Sequence, residues 1–586
     1  MVQRHSGPQH TIGRKTTGSL PIPFFEDFTG YDPLPDSNKW VDHEVYINNT
    51  MCVSPVSRGV ATMDALNAHG IPYDTVDNLA YNYCDSLTSK PIDLGSYTPG
   101  DSLYLSFFYQ PQGNGFYPLA GDSLYLYMRK SFADWTLVWS APGSTLQPFK
   151  QVMIPIKDTI YLYNGFQFRF VNIAALDYAD AVWNIDYIRL DTGRNMYDTA
   201  VNDLAFSTDP TFLLNDYTFM PYRQFMASPY GERANQFTDS IHNNYNSPQP
   251  VAYGYTSREL TTNTPLYTTP NLSNTVASPL HTQQLSDATY TNTIPLAGAY
   301  EKVVFENKFF FKSVLSTDPP ENDTIVKEQV FDNYLAYDDG TAEQSYFLTQ
   351  YPTLPAYLAI EFHLNRPDTL QGLAIYFGRQ DPPPNYKFIS LIIYSSLSGV
   401  NGGVSDNILL KVDDITPSYV DTINHFWVYS FNTPVPLPVG LFYVGTMQPA
   451  YDGADSVYFG LDVNRIGTNH AYYNVQSVWA QSQIAGAIMI RPLLGQPIAG
   501  TGMHNVNIES LDWSLDPNPA NNVISLNYIS NIKTLYRVND ILGRAVLNGE
   551  VNKSRDIDIS VLSPGMYFVT LYQDGLATTT KKLIKQ

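Results

Sequence analysis

The chain has 586 residues, which is too many for one hydrophobic core, so we expect several domains. Charged residues make up only 15% of it, and its polarity comes from Ser, Thr, Asn and 44 Tyr, a mixture typical of sheets with one wet face. The net charge of −21 disfavours nucleic acid as a partner, and the absence of any apolar run of 18 residues excludes a transmembrane helix.

Residues 1–20 precede the first predicted domain and are basic. They contain no apolar stretch, so they are not a signal peptide as written. We predict a flexible segment there, and we expect that a signal peptide was removed or that the start was assigned late.

Residues 21–193 alternate between apolar and polar side chains. Every second residue from 103 to 109 and from 166 to 170 is apolar, and turn signals such as Gly113-Asn114-Gly115 separate runs of this kind. Many short alternating runs with turns between them are typical of a β-sandwich. We therefore predict a jelly-roll domain.

Residues 194–327 give a weaker pattern. Strand-like sequence lies near both ends, and a long stretch rich in Ser, Thr, Asn, Pro and Tyr lies between, from 228 to 292. Length and pattern favour an immunoglobulin-like sandwich, with a long polar loop in the middle.

Residues 328–495 again alternate with period two, for example at 357–363 and 388–394, and we predict a second jelly roll. A linker follows at 496–510, and a small domain of short strands at 511–586. The predicted fold class is thus all-β and multidomain: two jelly-roll sandwiches with an intervening Ig-like sandwich and a small C-terminal Ig-like β-sandwich.

The last domain carries ordered turn motifs. Pro517 and Pro519 exclude a central strand and force a turn. Gly543 suits a tight hairpin, and Gly565 follows a proline in a type II turn position. From residue 509 onward the acidic and basic residues are equal in number, eight of each, so the whole negative excess lies upstream.

These motifs resemble the type A C-terminal sorting domain of Bacteroidetes type IX secretion substrates. The resemblance implies export through the outer membrane, docking on the outer-membrane machinery of that pathway, and removal of the domain by its sortase, with the cut expected near 500–510. A secreted or cell-surface protein follows. The residues that carry the motifs are Pro517, Asn518, Pro519, Gly543, Gly565, Tyr567, Lys581 and Lys582.

The first predicted sandwich resembles the MAM and concanavalin-like jelly rolls of Bacteroidetes surface proteins, on residues 23–28 and 183–190. Domains of that kind bring their first and last strands together, which would place Glu26 or Asp27 near Asp186. Clustered carboxylates could hold a structural Ca²⁺. Solvated turn carboxylates are the alternative.

A second, weaker calcium candidate lies at residues 337–343, a motif that is similar to one common in such exported proteins. Its carboxylates are Asp338, Asp339 and Glu343. The same alternative of turn carboxylates applies to it.

The two cysteines, Cys52 and Cys84, leave two readings open. In an exported chain they could form one disulfide around a loop of about thirty residues, which would contribute roughly 3 kcal/mol. They could instead be two buried thiols.

Asp-Ser/Thr-aliphatic tripeptides recur along the chain and resemble an O-glycosylation acceptor of these bacteria. Local turns, in which Asp and Ser/Thr bond the backbone, explain most of them. Examples lie at Ser86, Ser102, Ser123, Thr159, Thr199, Ser240, Thr324, Thr369, Thr422 and Ser456.

No catalytic motif occurs: GxSxG, HExxH, GxGxxG and the Walker loop are all absent from the sequence. We therefore expect no enzyme but an adhesin-like binding or structural protein, with glycans or surface proteins as partners. The alternative is a carbohydrate-binding or carbohydrate-active module on a jelly roll, since aromatic faces stack on sugar rings and the paired acids of a glycosidase come from distant strands.

Overall fold

The computed structural model confirms the all-β fold class, with α1 (Tyr222–Ala227) and α2 (Pro229–Glu232) as its α-helices in the described residues. Of the helices in that part of the chain, none is long and apolar enough to cross a membrane. The described residues are 18–30, 33–74, 77, 79–131, 134–291, 302–313, 322–349, 353–378, 388–418, 426–450, 457–465, 467–495, 513–527, 534–539, 545–551, 555–573 and 576–586.

The chain divides into two compact units. The body comprises Met1–Val428 with Thr433–Gln496, and the tail comprises Tyr429–Asn432 with Pro497–Gln586. The predicted linker at 496–510 lies outside the described residues, as does most of the N-terminal segment.

The first sandwich of the body packs two main sheets face to face. One has the strand order β2-β3-β12-β6-β9, with β1 also paired to β12, and the other has the order β4-β11-β7-β8. Its strands are β1 (Phe24–Glu26), β2 (Tyr46–Asn48), β3 (Val60–Met63), β4 (Tyr81–Thr88), β5 (Ile92–Asp93), β6 (Tyr104–Pro111), β7 (Ser123–Arg129), β8 (Trp135–Pro142), β9 (Lys150–Pro155), β10 (Asn164–Phe166), β11 (Phe168–Ala175) and β12 (Trp183–Asp191).

The core of this sandwich follows from the period-two pattern. On β7, Leu124, Leu126 and Met128 are buried, and the residues between them face the other way. Across the two sheets the rings of Phe107 and Phe170 meet edge to face, with centroids 4.8 Å apart. The predicted alternation at 103–109 and 166–170 therefore corresponds to the observed core.

The second sandwich has two sheets, β13-β14-β18 and β16-β15-β19-β20, with β17 also paired to β15. Because β20 belongs to it, this sandwich extends to Phe331, slightly beyond the predicted boundary at 327. Its strands are β13 (Leu204–Thr208), β14 (Gln236–Asn243), β15 (Gln249–Glu259), β16 (Thr264–Thr268), β17 (Ser273–Ala277), β18 (His281–Ala288), β19 (Val303–Ser313) and β20 (Thr324–Phe331).

The long polar loop predicted at 228–292 is wrong, because five strands, β14 to β18, lie within it. The buried face of β14 carries Phe237 and Ile241, separated by the polar Asp239. The sparse apolar residues still alternate with polar ones, and the aromatic rings of Phe237, Tyr255 and Phe309 fill the core between the sheets.

The third sandwich contains a six-stranded sheet, β25-β24-β27-β22-β29-β30, and two three-stranded sheets, β26-β23-β32 and β21-β28-β31. Its strands are β21 (Gln344–Tyr346), β22 (Ala356–Leu364), β23 (Asp368–Ile375), β24 (Ile389–Ser396), β25 (Asn407–Ile415), β26 (Trp427–Leu437), β27 (Gly440–Gln448), β28 (Phe459–Asp462), β29 (Ala471–Asn474), β30 (Ala480–Gln481), β31 (Ala487–Ile488) and β32 (Ile490–Leu494).

The tail has a core of its own, in which Trp513, Ile524 and Val569 are almost fully buried. Its sheets are β33-β34-β37 and β36-β35-β38-β39. The strands are β33 (Ser514–Asp516), β34 (Val523–Asn527), β35 (Thr534–Asn539), β36 (Ala545–Glu550), β37 (Asp556–Asp558), β38 (Gly565–Gln573) and β39 (Leu576–Lys585).

Candidate functional site

The opening motif of the tail is fastened to its last strand. The Asn518 side chain donates to the Lys582 carbonyl at 2.7 Å and accepts from the Ile584 amide at 2.9 Å. Ala520 adds a backbone bond to Ile584 at 2.9 Å. The motif between Pro517 and Ala520 therefore orders the C-terminal strand, a role that turn chemistry alone did not predict.

The other sorting residues take separate places. Gly565 opens β38, and the buried Tyr567 donates its hydroxyl to the Ser563 carbonyl at 2.9 Å. Lys581 and Lys582 are exposed on β39. Gly543 lies outside the described residues.

In the first carboxylate cluster the structure brings Asp27 close to Asp186. Strand β1 pairs antiparallel with β12, with Glu26 opposite Ile188. Ser57 Oγ lies 3.1 and 3.2 Å from the two carboxylate oxygens of Asp186 and 3.3 Å from the Asp27 carbonyl oxygen. Burial raises the pKa of Asp186 well above its usual range, and the nearby charge of Asp27 raises it further.

Glu26 is occupied by protein partners. It accepts from Trp40 Nε1 at 3.2 Å and forms an ion pair with Lys39 at 3.3 Å. Burial still raises the pKa of this carboxyl, with Lys39 and Trp40 acting in the opposite direction. Glu26 therefore serves the packing of the indole of Trp40, which is fully buried.

In the second cluster Asp338 is the counter-charge of a buried arginine. The Arg491 guanidinium reaches both of its carboxylate oxygens, with Nε 3.1 Å from each. The guanidinium also lies 3.9 Å above the Phe426 ring and 5.0 Å from the Tyr334 ring. The pair fastens the start of the third sandwich to β32.

Asp339 and Glu343 meet a third carboxylate that sequence reasoning missed, Asp462 at the end of β28. The Asp339 amide donates to Asp462 at 2.6 Å, and the Thr341 hydroxyl lies 2.6 Å from Asp339 Oδ1 and 2.9 Å from Glu343 Oε1. Burial, with the charge of Asp339, raises the pKa of Glu343 to about 8 and that of Asp462 to about 10. The feature of the sequence that could have identified Asp462 is its place as an acidic residue at the end of an apolar run.

Neither cluster has the donor set of a metal centre formed by acidic side chains. In the part of the chain that the structure describes, no three His, Cys, Asp or Glu side chains are arranged to hold one metal ion. A structural Ca²⁺ completed by carbonyl or amide oxygens stays a prediction.

Of the two readings for the cysteines, the disulfide is not the one observed, and both thiols are free. Cys84 lies on β4, and its thiol donates to Asn172 Oδ1 on β11 at 3.2 Å. Cys52 follows β2 and is buried close to Asp186 of β12, a strand of the same sheet as β2 and not of the sheet that contains β4. The two thiols belong to different layers of the sandwich, and both are free, with Cys52 buried and Cys84 half-buried.

The Asp-Ser/Thr tripeptides differ in exposure. Ser102, Thr159 and Thr199 are exposed, whereas Ser86 and Ser240 are half-buried on strands. Asp158 and its neighbours form a local turn in which the carboxylate accepts from the Ile160 amide at 3.1 Å. Glycosylation stays a prediction, and Thr422 and Ser456 lie outside the described residues.

A row of tyrosines lies on the outer face of the sheet β4-β11-β7-β8. Tyr81 and Tyr83 are 48% and 54% exposed, which leaves their rings open to solvent. The Tyr83 and Tyr125 ring centroids are 6.0 Å apart, and those of Tyr125 and Tyr127 are 6.1 Å apart. Tyr83 and Tyr125 meet edge to face, whereas the rings of Tyr125 and Tyr127 are tilted against each other, so the three rings are in mutual contact.

Hydroxyl contacts fix the row further. The hydroxyls of Tyr83 and Tyr127 are 3.3 Å apart, and the Tyr81 hydroxyl donates to Asp122 Oδ1 at 2.9 Å. Burial and the bond to Tyr83 raise the pKa of Tyr127 to about 12, so this phenol is neutral at physiological pH. The rings present uncharged apolar faces with polar edges.

Two arginines continue the row on the same face. Arg169 of β11 lies opposite Tyr127, and Arg129 is the next outward residue of β7 after Tyr127. The Arg169 guanidinium lies 4.3 Å from the centre of the Trp135 ring. We call Tyr81, Tyr83, Tyr125, Tyr127, Arg129 and Arg169 the tyrosine–arginine face.

Residues 514–586 match the family model described as the secretion system C-terminal sorting domain. The chain thus ends in a type IX sorting domain, and it is exported to the cell surface or the extracellular space. Among curated proteins none matches the sequence.

Solved structures resemble the chain only remotely. A β-glucuronidase of Parabacteroides merdae aligns at 10% identity and a TM-score of 0.21, over 46% of this chain and 30% of its own. The CBM22-1-CBM22-2 tandem domain of Paenibacillus barcinonensis Xyn10C aligns at 7% identity and 0.18, over 76% of this chain and 98% of its own. A biofilm-associated protein domain aligns at 6% and 0.16, over 94% and 99%. Scores this low carry no functional argument.

Proposed function

We propose that the exported chain is a non-catalytic, adhesin-like binding protein and that the tyrosine–arginine face of its first sandwich is the binding surface. The observation that carries this proposal is the row of open tyrosine rings, with Tyr81 and Tyr83 about half exposed. An aromatic ring left in water on an intact sheet forgoes burial energy that contact with a ligand would recover.

The buried carboxyl groups support a non-catalytic role. Asp186, Glu343 and Asp462 have raised pKa values, which also occur in active sites. Each of them, however, accepts hydrogen bonds from backbone amides or hydroxyls of the fold itself. Their environment is that of structural acids that tie loops to strands.

The test is binding of the full chain to panels of cells, glycans and matrix proteins. We expect saturable binding to at least one class, and a loss of tenfold or more in the double variant Tyr81→Ala, Tyr83→Ala. The matched control is Tyr197→Ala, Tyr230→Ala, which removes two tyrosines that are 82% and 78% exposed elsewhere. Absence of binding to every panel, or equal loss in both double variants, contradicts the proposal.

The runner-up function is a carbohydrate-active module, which the same open rings would also suit. A reducing-sugar assay on every glycan that the chain binds separates the two. Release of sugar by the full chain would favour the enzyme and reject the non-catalytic role.

A further inference from the structure

The outward side chains of the strands that form the tyrosine–arginine face include two cations and no acid, and the carboxylate that contacts the face is Asp122, which precedes β7, is buried and accepts from the Tyr81 hydroxyl. In the four strands of its sheet the one acidic residue is Asp85, which points into the sandwich and is fully buried. The outward positions carry Arg129 and Arg169, in a chain with 34 basic and 55 acidic residues. The outward side chains of these strands are therefore basic or uncharged, although the chain as a whole is acidic.

Both guanidiniums bind neutral partners. Arg129 Nη1 donates to Gln167 Oε1 at 2.6 Å, and Arg169 Nε donates to Thr88 Oγ1 at 2.7 Å. Neither forms an ion pair with a carboxylate among the residues that the structure describes. A guanidinium has five N–H donors, so each can hold an anion in addition to its present partner.

Positive charge and aromatic rings lie side by side. Arg169 is opposite Tyr127 across β11 and β7, and Arg129 is its diagonal neighbour, roughly 7–8 Å away as in other sheets. Tyr125 and Tyr83 continue the line away from the arginines. A ligand that follows this line meets rings and then cations.

We propose that this face binds an anionic polysaccharide. The apolar C–H faces of its pyranose rings rest on Tyr81, Tyr83 and Tyr125, and its carboxylate or sulfate groups bind Arg129 and Arg169. An anionic polysaccharide carries sugar rings and charges on one chain, so a single molecule can contact both the tyrosine rings and the two arginines. The proposal rests on the proposed function, since it names the ligand class of the same surface.

The experiment uses the full chain and two matched pairs of polymers. Polygalacturonate is compared with its methyl ester, and dextran sulfate with dextran, so that each pair differs in charge and the two pairs separate carboxylate from sulfate. We expect at least one charged polymer to bind tenfold or more tightly than its neutral match, and rising salt to weaken that binding.

Variants of Arg129 test whether the charged polymer binds at the tyrosine–arginine face. Arg129→Gln is expected to weaken binding about three- to tenfold, and Arg129→Lys to weaken it less because the charge remains. The control is Arg258→Gln, an exposed arginine already paired with Glu306 at 2.7 Å, which should bind as the unchanged chain does.

Three results would overturn the inference: neutral polymers that bind as tightly as charged ones, Arg129 variants with unchanged affinity, or capture of acidic proteins with no polysaccharide bound. The proposed function survives each of them if the double variant Tyr81→Ala, Tyr83→Ala still loses binding. A chain that binds nothing at all rejects both.

Discussion

At the scale of single residues, His470 shows how a charge can hold two sandwiches together. Its Nε2 lies 3.2 Å from a carboxylate oxygen of Asp216, before the first helix, and its Nδ1 lies 3.8 Å from Glu361 on β22. The distance to Glu361 is within the range of an ion pair but is too long for a hydrogen bond. The imidazole also stacks on Tyr337, with centroids 4.2 Å apart. The protonated ring thus joins the second sandwich to the third.

This arrangement predicts a loss of stability at alkaline pH. Burial alone would lower the pKa of His470, but Asp216 and Glu361 outweigh it and raise the pKa to about 9. Because this value lies above the unfolded value of about 6.5, the contribution is complete below pH 6.5 and is lost as the pH rises through 9. Because Asp216 is half exposed, solvent screens its charge, and we expect the protonated imidazole to contribute about 2 kcal/mol to the free energy of unfolding.

The measurement is urea unfolding between pH 6 and pH 10. At the acidic end of this range the unchanged chain should have a higher free energy of unfolding than His470→Gln. At the alkaline end the two values should be nearly equal. His281→Gln, at an exposed position on β18, is the control and should follow the unchanged chain throughout. A constant difference between the chain and His470→Gln would reject the ion-pair account.

At the scale of elements, the turn after β6 depends on one glycine. Gly113 has a φ of +59°, and a Cβ there would meet the Met51 carbonyl oxygen at 2.0 Å and Asn184 Nδ2 at 2.6 Å. Gly113→Ala is therefore expected to destabilise the chain by more than about 2 kcal/mol in urea unfolding. Gly399→Ala is the matched control: its φ is +78°, nothing lies within 4 Å, and only the left-handed backbone costs about 1 kcal/mol. Equal losses would refute the steric account.

The strands and turns also show which parts of the fold could be predicted from the sequence. Turn signals and alternation predicted β6, the start of β11 and the glycine turn after β6, because period and turn chemistry are local properties. The strands at 228–292 escaped prediction because polar residues such as Asp239 and Asn243 occupy buried positions, which blurs the alternation. Asp462 beside Asp339, and Asn518 beside Lys582, could not be predicted, since strand pairing between distant segments decides them.

For the same reason, only part of the tyrosine–arginine face could be predicted from the sequence. The sequence places Tyr125, Tyr127 and Arg129 at alternate positions of one strand, and so on one face. That Tyr83 and Arg169 join them follows from the pairing of β11 with both β4 and β7. Aromatic content motivated a sugar-binding alternative, but the surface itself required the sheet order.

At the scale of the whole molecule, polar contacts join the sandwiches of the body into one unit. Asp209 of the second sandwich pairs with Arg58 of the first and with Lys327 at 3.4 Å. Burial would raise the pKa of Asp209, but the two cations outweigh it and hold the pKa well below its usual range. Asn244 adds a bond to the Val56 carbonyl at 3.2 Å. The binding surface proposed on the first sandwich is therefore carried by a large, connected body.

The tail adds a separate core with balanced charge, which suits an addressing module that is independent of its acidic cargo. Removing residues 514–586 is expected to leave the chain inside the producing cell, as measured by immunoblot of cell and culture fractions.

Asn518→Ala removes both side-chain hydrogen bonds that order β39, at a cost of roughly 1–3 kcal/mol to the stability of the tail, and should reduce export in proportion to the fraction of tail that is unfolded. Asn522→Ala, exposed in the same loop, should be exported normally. Export that persists without residues 514–586 would show that the sorting domain is not the route this chain uses, whereas export lost in Asn518→Ala and retained in Asn522→Ala would place recognition on the ordered C-terminal strand.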